Sequence, residues 1–240
     1  MANAKEIKRK IASINNTAKI TKAMELISTV KMKKAQDLAL QKKDFVIEML
    51  KVFSRIEPFL QGFAYFQKPE SKKTLAVMIT SNKGLCGGYN VNVLKKVNEY
   101  VKQNREEKME YITLGKKATA FVARTGNELL ADFSPAFSDN IDTRFIKNVT
   151  SLIYEKFLTG EYGKVVVFYN YYVNSIKQVP VAREFLPIDA QGVKKYLEEI
   201  IDDEVFEFPL GTERETIIKQ RVNQNFFRST ILSSYNLKCC

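Results

Sequence analysis

The chain has 240 residues, 45% of them hydrophobic, which is enough for one compact core with chain to spare. A formal net charge of +11 without a single histidine points to acidic surfaces, nucleic acid or anionic headgroups as partners, and removes the commonest general base and metal ligand. Cys86 and the terminal pair Cys239 and Cys240 form neither a disulfide framework nor a zinc spacing, and no apolar run approaches the ~20 residues that span a bilayer, so a soluble or peripheral protein of a reducing compartment is expected.

From Met1 to Glu57 there is no glycine or proline, and Ala, Lys, Leu, Met, Glu and Gln dominate, so nothing ends a helix before Pro58. One helix of that length runs for about 80 Å. Its apolar residues recur at threes and fours through Ile7, Ile11, Ile14 and Ala18, then Ile20, Met24 and Ile27, then Leu38, Phe45, Met49, Phe53 and Ile56, as in a coiled-coil seam. The seam changes phase after Ala18 and again near Val30, which disfavours a simple rod dimer and predicts partner surfaces that change along its length. Thirteen Lys and Arg stand against six Asp and Glu here, so seven of the eleven net charges lie on one helix. A solvated face that keeps a long apolar helix soluble accounts equally well for any single lysine. The cluster Lys31, Lys33 and Lys34 leans towards an acidic partner.

After PFLQGFAYFQKPES the pattern alternates. Strands are expected over 74–80, 110–114, near 129–133, 164–171 and near 179–185, with helices over 90–104, 116–125 and 141–158. That alternation predicts a mostly parallel sheet covered on both faces. TSNKGLCGGYN, residues 80–90, falls between the first strand and its helix, where a phosphate-binding loop would sit. It lacks the GxxxxGK[ST] and GxGxxG spacings, and no acidic residue is placed to hold a ribose. Its glycines are expected to serve a positive-φ turn and close backbone packing, with Asn90 or Asn92 capping the helix. EEIIDDEVFEF holds six carboxylates without cationic or histidine partners and reads as an acidic loop edge, not a metal or acid–base site. VVVFYNYYVN has the aromatics of a single-strand binder, yet alternating Val, Phe and Tyr is also what a buried strand looks like.

Four segments carry a resemblance over about the first 190 residues: AKEIKRKIAS, NTAKITKAMELISTVKMKKAQ, SNKGLCGGYN and QVPVAREFLP. At this spacing they resemble the gamma subunit of the F-type ATP synthase, the central shaft of its F1 motor, and the loop is close to that family's [ST]-x-[RK]-G-L-C-G-G-x-N pattern. The resemblance implies an α/β fold class with long N- and C-terminal helices forming an antiparallel coiled coil around a central Rossmann-like domain. Residues 1–57 would be the N-terminal shaft helix, 70–190 the α/β foot and 210–235 a shortened C-terminal shaft helix. It further implies a non-catalytic subunit, without catalytic, cofactor-binding or metal residues, that couples proton- or sodium-driven rotation to conformational change at catalytic sites on the beta subunits. The implied partners are the alpha and beta subunits of the F1 ring, an epsilon-type subunit and the membrane c-ring, with peripheral attachment to the cytoplasmic face of a bacterial membrane. Lys22, Met24, Lys31, Lys33 and Lys34 would be shaft contacts with the ring, and Gly84, Cys86, Gly87 and Gly88 a structural loop of the foot.

Family members close with an SE-[HQ]-x-ARM-x-AM segment and several further turns. Here ERETIIKQRVNQNFFRSTILSS resembles the start of that helix, with Ile217, Ile218, Val222, Phe226, Phe227 and Ile231 near helical spacing, and YNLKCC then departs. A truncated or divergent end is expected, which would leave Ile7, Ile11, Ile14 and Ile20 without an intramolecular partner. Composition alone leaves two other readings open: a nucleic-acid binder using the basic helix, and a nucleotide-binding α/β enzyme with the glycine loop as cradle.

Overall fold

Helix α1 runs unbroken from Ala2 to Ile56 and tightens into a 3-10 turn at Glu57–Phe59, where Pro58 removes a donor and ends the α-helical ladder. The computed structural model describes residues 2–202 other than 61, 139–140 and 175–176. A second 3-10 turn, Ala64–Phe66, leads into β1 (Lys73–Ile79), α2 (Tyr89–Gln103), β2 (Lys108–Leu114), α3 (Lys116–Thr125) and β3 (Glu128–Asp132). Then follow α4 (Thr143–Leu158), β4 (Lys164–Tyr172), β5 (Gln178–Leu186) and α5 (Ala190–Asp202). The expected C-terminal helix over 210–235 lies outside the described residues.

The strands form one sheet in the order β3-β2-β1-β4-β5. The first four are parallel, and β5 returns antiparallel to β4 as a hairpin. Successive side chains of a strand leave on opposite faces, so each central strand feeds two cores. On one face Ala76, Met78, Tyr111 and Phe168 pack with Val93 and Val97 of α2 and Phe121 and Val122 of α3. On the other, Leu75, Val77, Ile112 and Val165 pack with Val149, Ile153 and Phe157 of α4. Helix α4 starts at Thr143, capped by Asp142, whose carboxylate accepts from Phe145 N at 2.7 Å.

Two features at the sheet's ends were not visible in the sequence pattern. At the carboxyl end, Gly115 has φ +108, and a Cβ there would lie 2.1 Å from the Thr80 carbonyl oxygen. The bare backbone lets the β1 end close on the β2–α3 turn: Thr80 N donates to Leu114 O at 2.8 Å and Thr80 Oγ1 accepts from Ala118 N at 2.9 Å. At the amino end Glu110 is 3% exposed, and its carboxylate accepts from the Tyr162 hydroxyl and from Lys73 Nζ at 3.0 Å. Burial pushes the Glu110 carboxyl up, but the Tyr162 and Lys73 hydrogen bonds and the Lys73 charge outweigh it and hold the group below its ordinary value. Its own burial, and then the same contact, push the Tyr162 hydroxyl far above the usual tyrosine range.

Gly115→Ala is therefore expected to lower stability by about 2 kcal/mol or more in denaturant unfolding. Gly126→Ala, with φ +66 and no atom within 4 Å of the added carbon, is expected to cost only about 1 kcal/mol. Glu110 has a depressed pKa in the folded state, so its ionisation stabilises the protein above the unfolded carboxyl value of roughly 4.3 and that stability is lost as pH falls through the lower folded value. Glu110→Gln should then cost about 1–3 kcal/mol at pH 7, with the gap to wild type narrowing below about pH 4 in a pH series of unfolding curves.

Candidate functional site

The long helix meets the α/β domain along its last third only. Residues 4–35 are exposed on every side, and coverage begins at Gln36. From there the covered positions include Gln36, Leu40, Lys43, Ile47, Leu50, Ser54 and Glu57, a run of alternating fours and threes that keeps one face on the domain. Gln36 Nε2 donates to the Tyr172 hydroxyl at the end of β4. Phe53 stacks on Phe66 with ring centroids 6.1 Å apart, and α5 packs along α1.

This face differs from the expected lower seam. Of Leu38, Phe45, Met49, Phe53 and Ile56, only Phe53 is covered; Leu38, Phe45, Met49 and Ile56 are 44–57% exposed. Phe45 and Ile47 stand two residues apart, about 200° around a helix, so the lower third is apolar on two nearly opposite faces. The domain takes one of them. A single-seam reading catches whichever stripe carries the larger side chains, and here that was the uncovered one.

The expected ring contacts all lie on the exposed upper part. Lys22 and Met24 point to opposite sides, again about 200° apart, and so present two different faces. Lys31 and Lys34 share a face at i, i+3 spacing, whereas Lys33 turns away from both, so the three lysines do not make one patch. Thr17, Thr21 and Thr29 turn their hydroxyls back to the carbonyls of Ser13, Thr17 and Glu25, each at 2.9 Å. Ile7, Ile11, Ile14, Ile20 and Ile27 are 50–66% exposed, an apolar load that a free helix in water does not carry for long without a partner.

The glycine loop sits at the carboxyl end of β1, between that strand and α2. Gly84, Cys86, Gly87 and Gly88 are exposed, and the turn uses positive φ at Gly87 (+55) and at Leu85 (+61), whose side chain is 94% exposed. Close backbone packing does not occur at Gly84 or Gly87, where an added Cβ meets nothing within 4 Å; that role belongs to Gly115 and Gly163. The helix cap also differs. Gly88 is the N-cap residue, and buried Asn90 instead stitches the loop shut: it accepts from Ser81 N at 3.0 Å and donates to Ser81 Oγ at 2.9 Å and Cys86 Sγ at 3.0 Å. Asn82 does the same on the other side, accepting from Lys116 N and donating to Phe137 O. Both asparagines of the loop are thus spent on holding it to itself and to its neighbours, and only Lys83 offers an exposed charged side chain.

No group of three or more His, Cys, Asp or Glu suited to a metal occurs among the described residues. A cavity of about 760 Å³ lies at the opposite end of the sheet beside the last turn of α2. Its inner cations are already matched, Lys73 with Glu110 and Glu161 and Lys164 with Glu107 at 2.6 Å. Among the described residues no helix is long and apolar enough to cross a membrane.

Helix α5 was missed by the sequence reading, which took Glu198–Asp202 for part of an acidic loop; these residues belong to the helix, and 203–208 lie outside the described residues. Its signal was present in Asp189, whose carboxylate caps Gln191 N at 3.1 Å and Gly192 N at 2.8 Å, and in Val193, Tyr196 and Leu197 at helical spacing.

A long exposed helix seated on a doubly covered, mostly parallel sheet is a fold with a solved counterpart. The solved chain described as the Tetrahymena thermophila mitochondrial ATP synthase central stalk and c-ring shares this fold, with a TM-score of 0.53 at 22% identity, over 90% of this chain and 88% of that one. The chain belongs to the ATP synthase gamma-chain family: the family model described as ATP synthase matches residues 3–236. The ATP synthase gamma chain of Flavobacterium johnsoniae is 32% identical over 191 residues, 78% of this chain and 66% of that protein. That of Flavobacterium psychrophilum is 31% identical over 210 residues, 86% of this chain and 72% of that protein.

The seat predicts an asymmetry along α1. Ile47→Ala, on the covered face, is expected to lower the unfolding free energy by about 1–2 kcal/mol. Ile14→Ala, at a site 66% exposed, should change it in the isolated chain by no more than about 0.5 kcal/mol.

Proposed function

We propose that this chain is the central rotor shaft of an F-type ATP synthase, coupling ion-driven rotation of a membrane c-ring to conformational change at catalytic sites on beta subunits. The observation that carries the reading is the mismatch along α1: a helix of 55 residues is anchored over its last third and exposes apolar residues on every side above Gln36. Such a mast needs an enclosing sleeve, and the alpha and beta subunits of an F1 ring would supply one. The anchored end and the α/β domain would face the c-ring and an epsilon-type subunit. In this reading the chain is peripheral to the cytoplasmic face of a bacterial membrane, held there through the complex.

The mechanism follows from the faces of the mast. Lys22 and Met24 look in opposite directions, and Lys31 and Lys34 share a side that Lys33 does not, so the shaft is asymmetric about its axis. Turning it presents each surrounding catalytic subunit with a different surface in succession. A subunit with two conformations is biased by whichever surface it meets, in proportion to its differential affinity for that surface. No reacting group is required of the shaft. The glycine loop serves the domain's structure, since its asparagines bind neighbouring loop atoms.

Co-expression with the alpha and beta subunits of a gamma-chain relative's complex tests this directly. The expected result is a stoichiometric complex that hydrolyses ATP, with no hydrolysis by the chain alone. Elution apart from alpha and beta, or turnover by the pure chain that Gly87 and Gly88 substitutions abolish, contradicts the proposal. Replacing Lys31, Lys33 and Lys34 together by Gln should leave the melting temperature within about 2 °C, because exposed charges contribute little to folding. The same variant should lower ATP turnover in the complex.

A further inference from the structure

Helix α5 has no part in the function proposed above, yet it packs against α1. It is 13 residues long, too short to be helical by itself in water, so its structure depends on what holds it. The hold is specific. Arg183, on the edge strand β5, places its guanidinium carbon 4.2 Å from the ring centre of Tyr196 in α5 and 5.9 Å from that of Tyr171 in β4. A planar cation between two aromatic faces joins strand, edge strand and helix through one side chain.

The sheet's alternation shows what this accomplishes. Val167 and Phe168 of β4 belong to opposite cores, Val167 on the α4 side and Phe168 on the α2 side. By the period of two, Tyr171 leaves with Val167 on the α4 side, as does Arg183, the cross-strand partner of Val167. Tyr172 leaves with Phe168 on the α2 side, where it receives the hydrogen bond from Gln36 of α1. The β4–β5 hairpin therefore grips the long helix from both faces of the sheet: directly through Tyr172 on one, and through Arg183 and α5 on the other.

We propose that α5 is a latch on the long helix and that Arg183 is the residue that positions it. Engaged, the latch makes the lower third of α1 and the α/β domain one body; released, it leaves α1 held by Gln36, Phe53 and the rest of its own face. The functional consequence, tight transmission of torque between mast and domain, rests on the shaft reading.

The test begins with the full isolated chain, by amide hydrogen exchange on wild type, Arg183→Ala, Tyr196→Ala and Tyr196→Phe. Both alanine variants should speed exchange through residues 193–202 by about tenfold or more, and through 36–50 by a smaller factor, while β1 and β2 keep wild-type protection. Tyr196→Phe retains the aromatic face and should behave as wild type. Unchanged exchange in α5, or acceleration spread equally over β1 and β2, overturns the latch. In the assembled complex, Tyr196→Ala should retain ATP hydrolysis while ions pumped per ATP hydrolysed fall. Wild-type pumping per ATP with α5 demonstrably released removes its role in coupling. Failure of the wild-type chain to assemble with alpha and beta subunits counts against the shaft reading instead, and leaves the exchange result to decide the latch.

Discussion

Everything in this molecule depends on where the long helix is held. Covering one face of α1 from Gln36 to Glu57 fixes a direction in space, and the glycine- and proline-free sequence above carries that direction outward through residues 4–35. A helix draws most of its stability from packing of its apolar face, not from propensity. Below Gln36 the domain supplies that packing. Above it the apolar residues Ile7, Ile11, Ile14, Ile20 and Ile27 are left facing water, which makes the upper part dependent on other surfaces for its lasting order.

The domain is built to be a firm base for such a lever. Its sheet is sandwiched between two separate cores, and the central strands β1 and β2 are buried on both faces. Both ends of the sheet are closed by contacts that leave little slack: Thr80 against Gly115 at the carboxyl end, and Glu110 with Tyr162 and Lys73 at the amino end. The glycine loop, at the position where many α/β proteins bind phosphate, is tied shut by Asn82 and Asn90. A fold commonly used for ligand binding here has the two asparagines of that edge turned to the protein's own backbone and loop.

Much of this was legible in the residues, because the signals were local. The absence of glycine and proline up to Pro58 marked the whole of α1, and each of the five strands and of helices α2 to α4 lies within a few residues of its expected place. The gamma-chain resemblance followed from four short segments at fixed spacing. What escaped depended on contacts between distant parts. The covered face of α1 could not be told from its uncovered face, since Leu40, Ile47 and Leu50 are as apolar as Leu38, Phe45 and Met49. Gly115 gave no sign of being a tight spot, because its constraint comes from Thr80, 35 residues earlier. Helix α5 was hidden by its acidic end, although Asp189 marks its start. The lysine cluster looked like one patch in sequence and is split by the helical turn.

The central claim is that α1 is seated over its last third and needs an external sleeve above it. Limited trypsin digestion of the chain, alone and assembled with alpha and beta subunits, reads this from the lysines spread along the helix. The account predicts that the isolated chain is cut first between Lys8 and Lys34 and only later at Lys42, Lys43 and Lys51, and that assembly protects the upper sites. Equal cutting rates along the whole helix in the isolated chain, or upper sites that stay as sensitive after assembly, would contradict it.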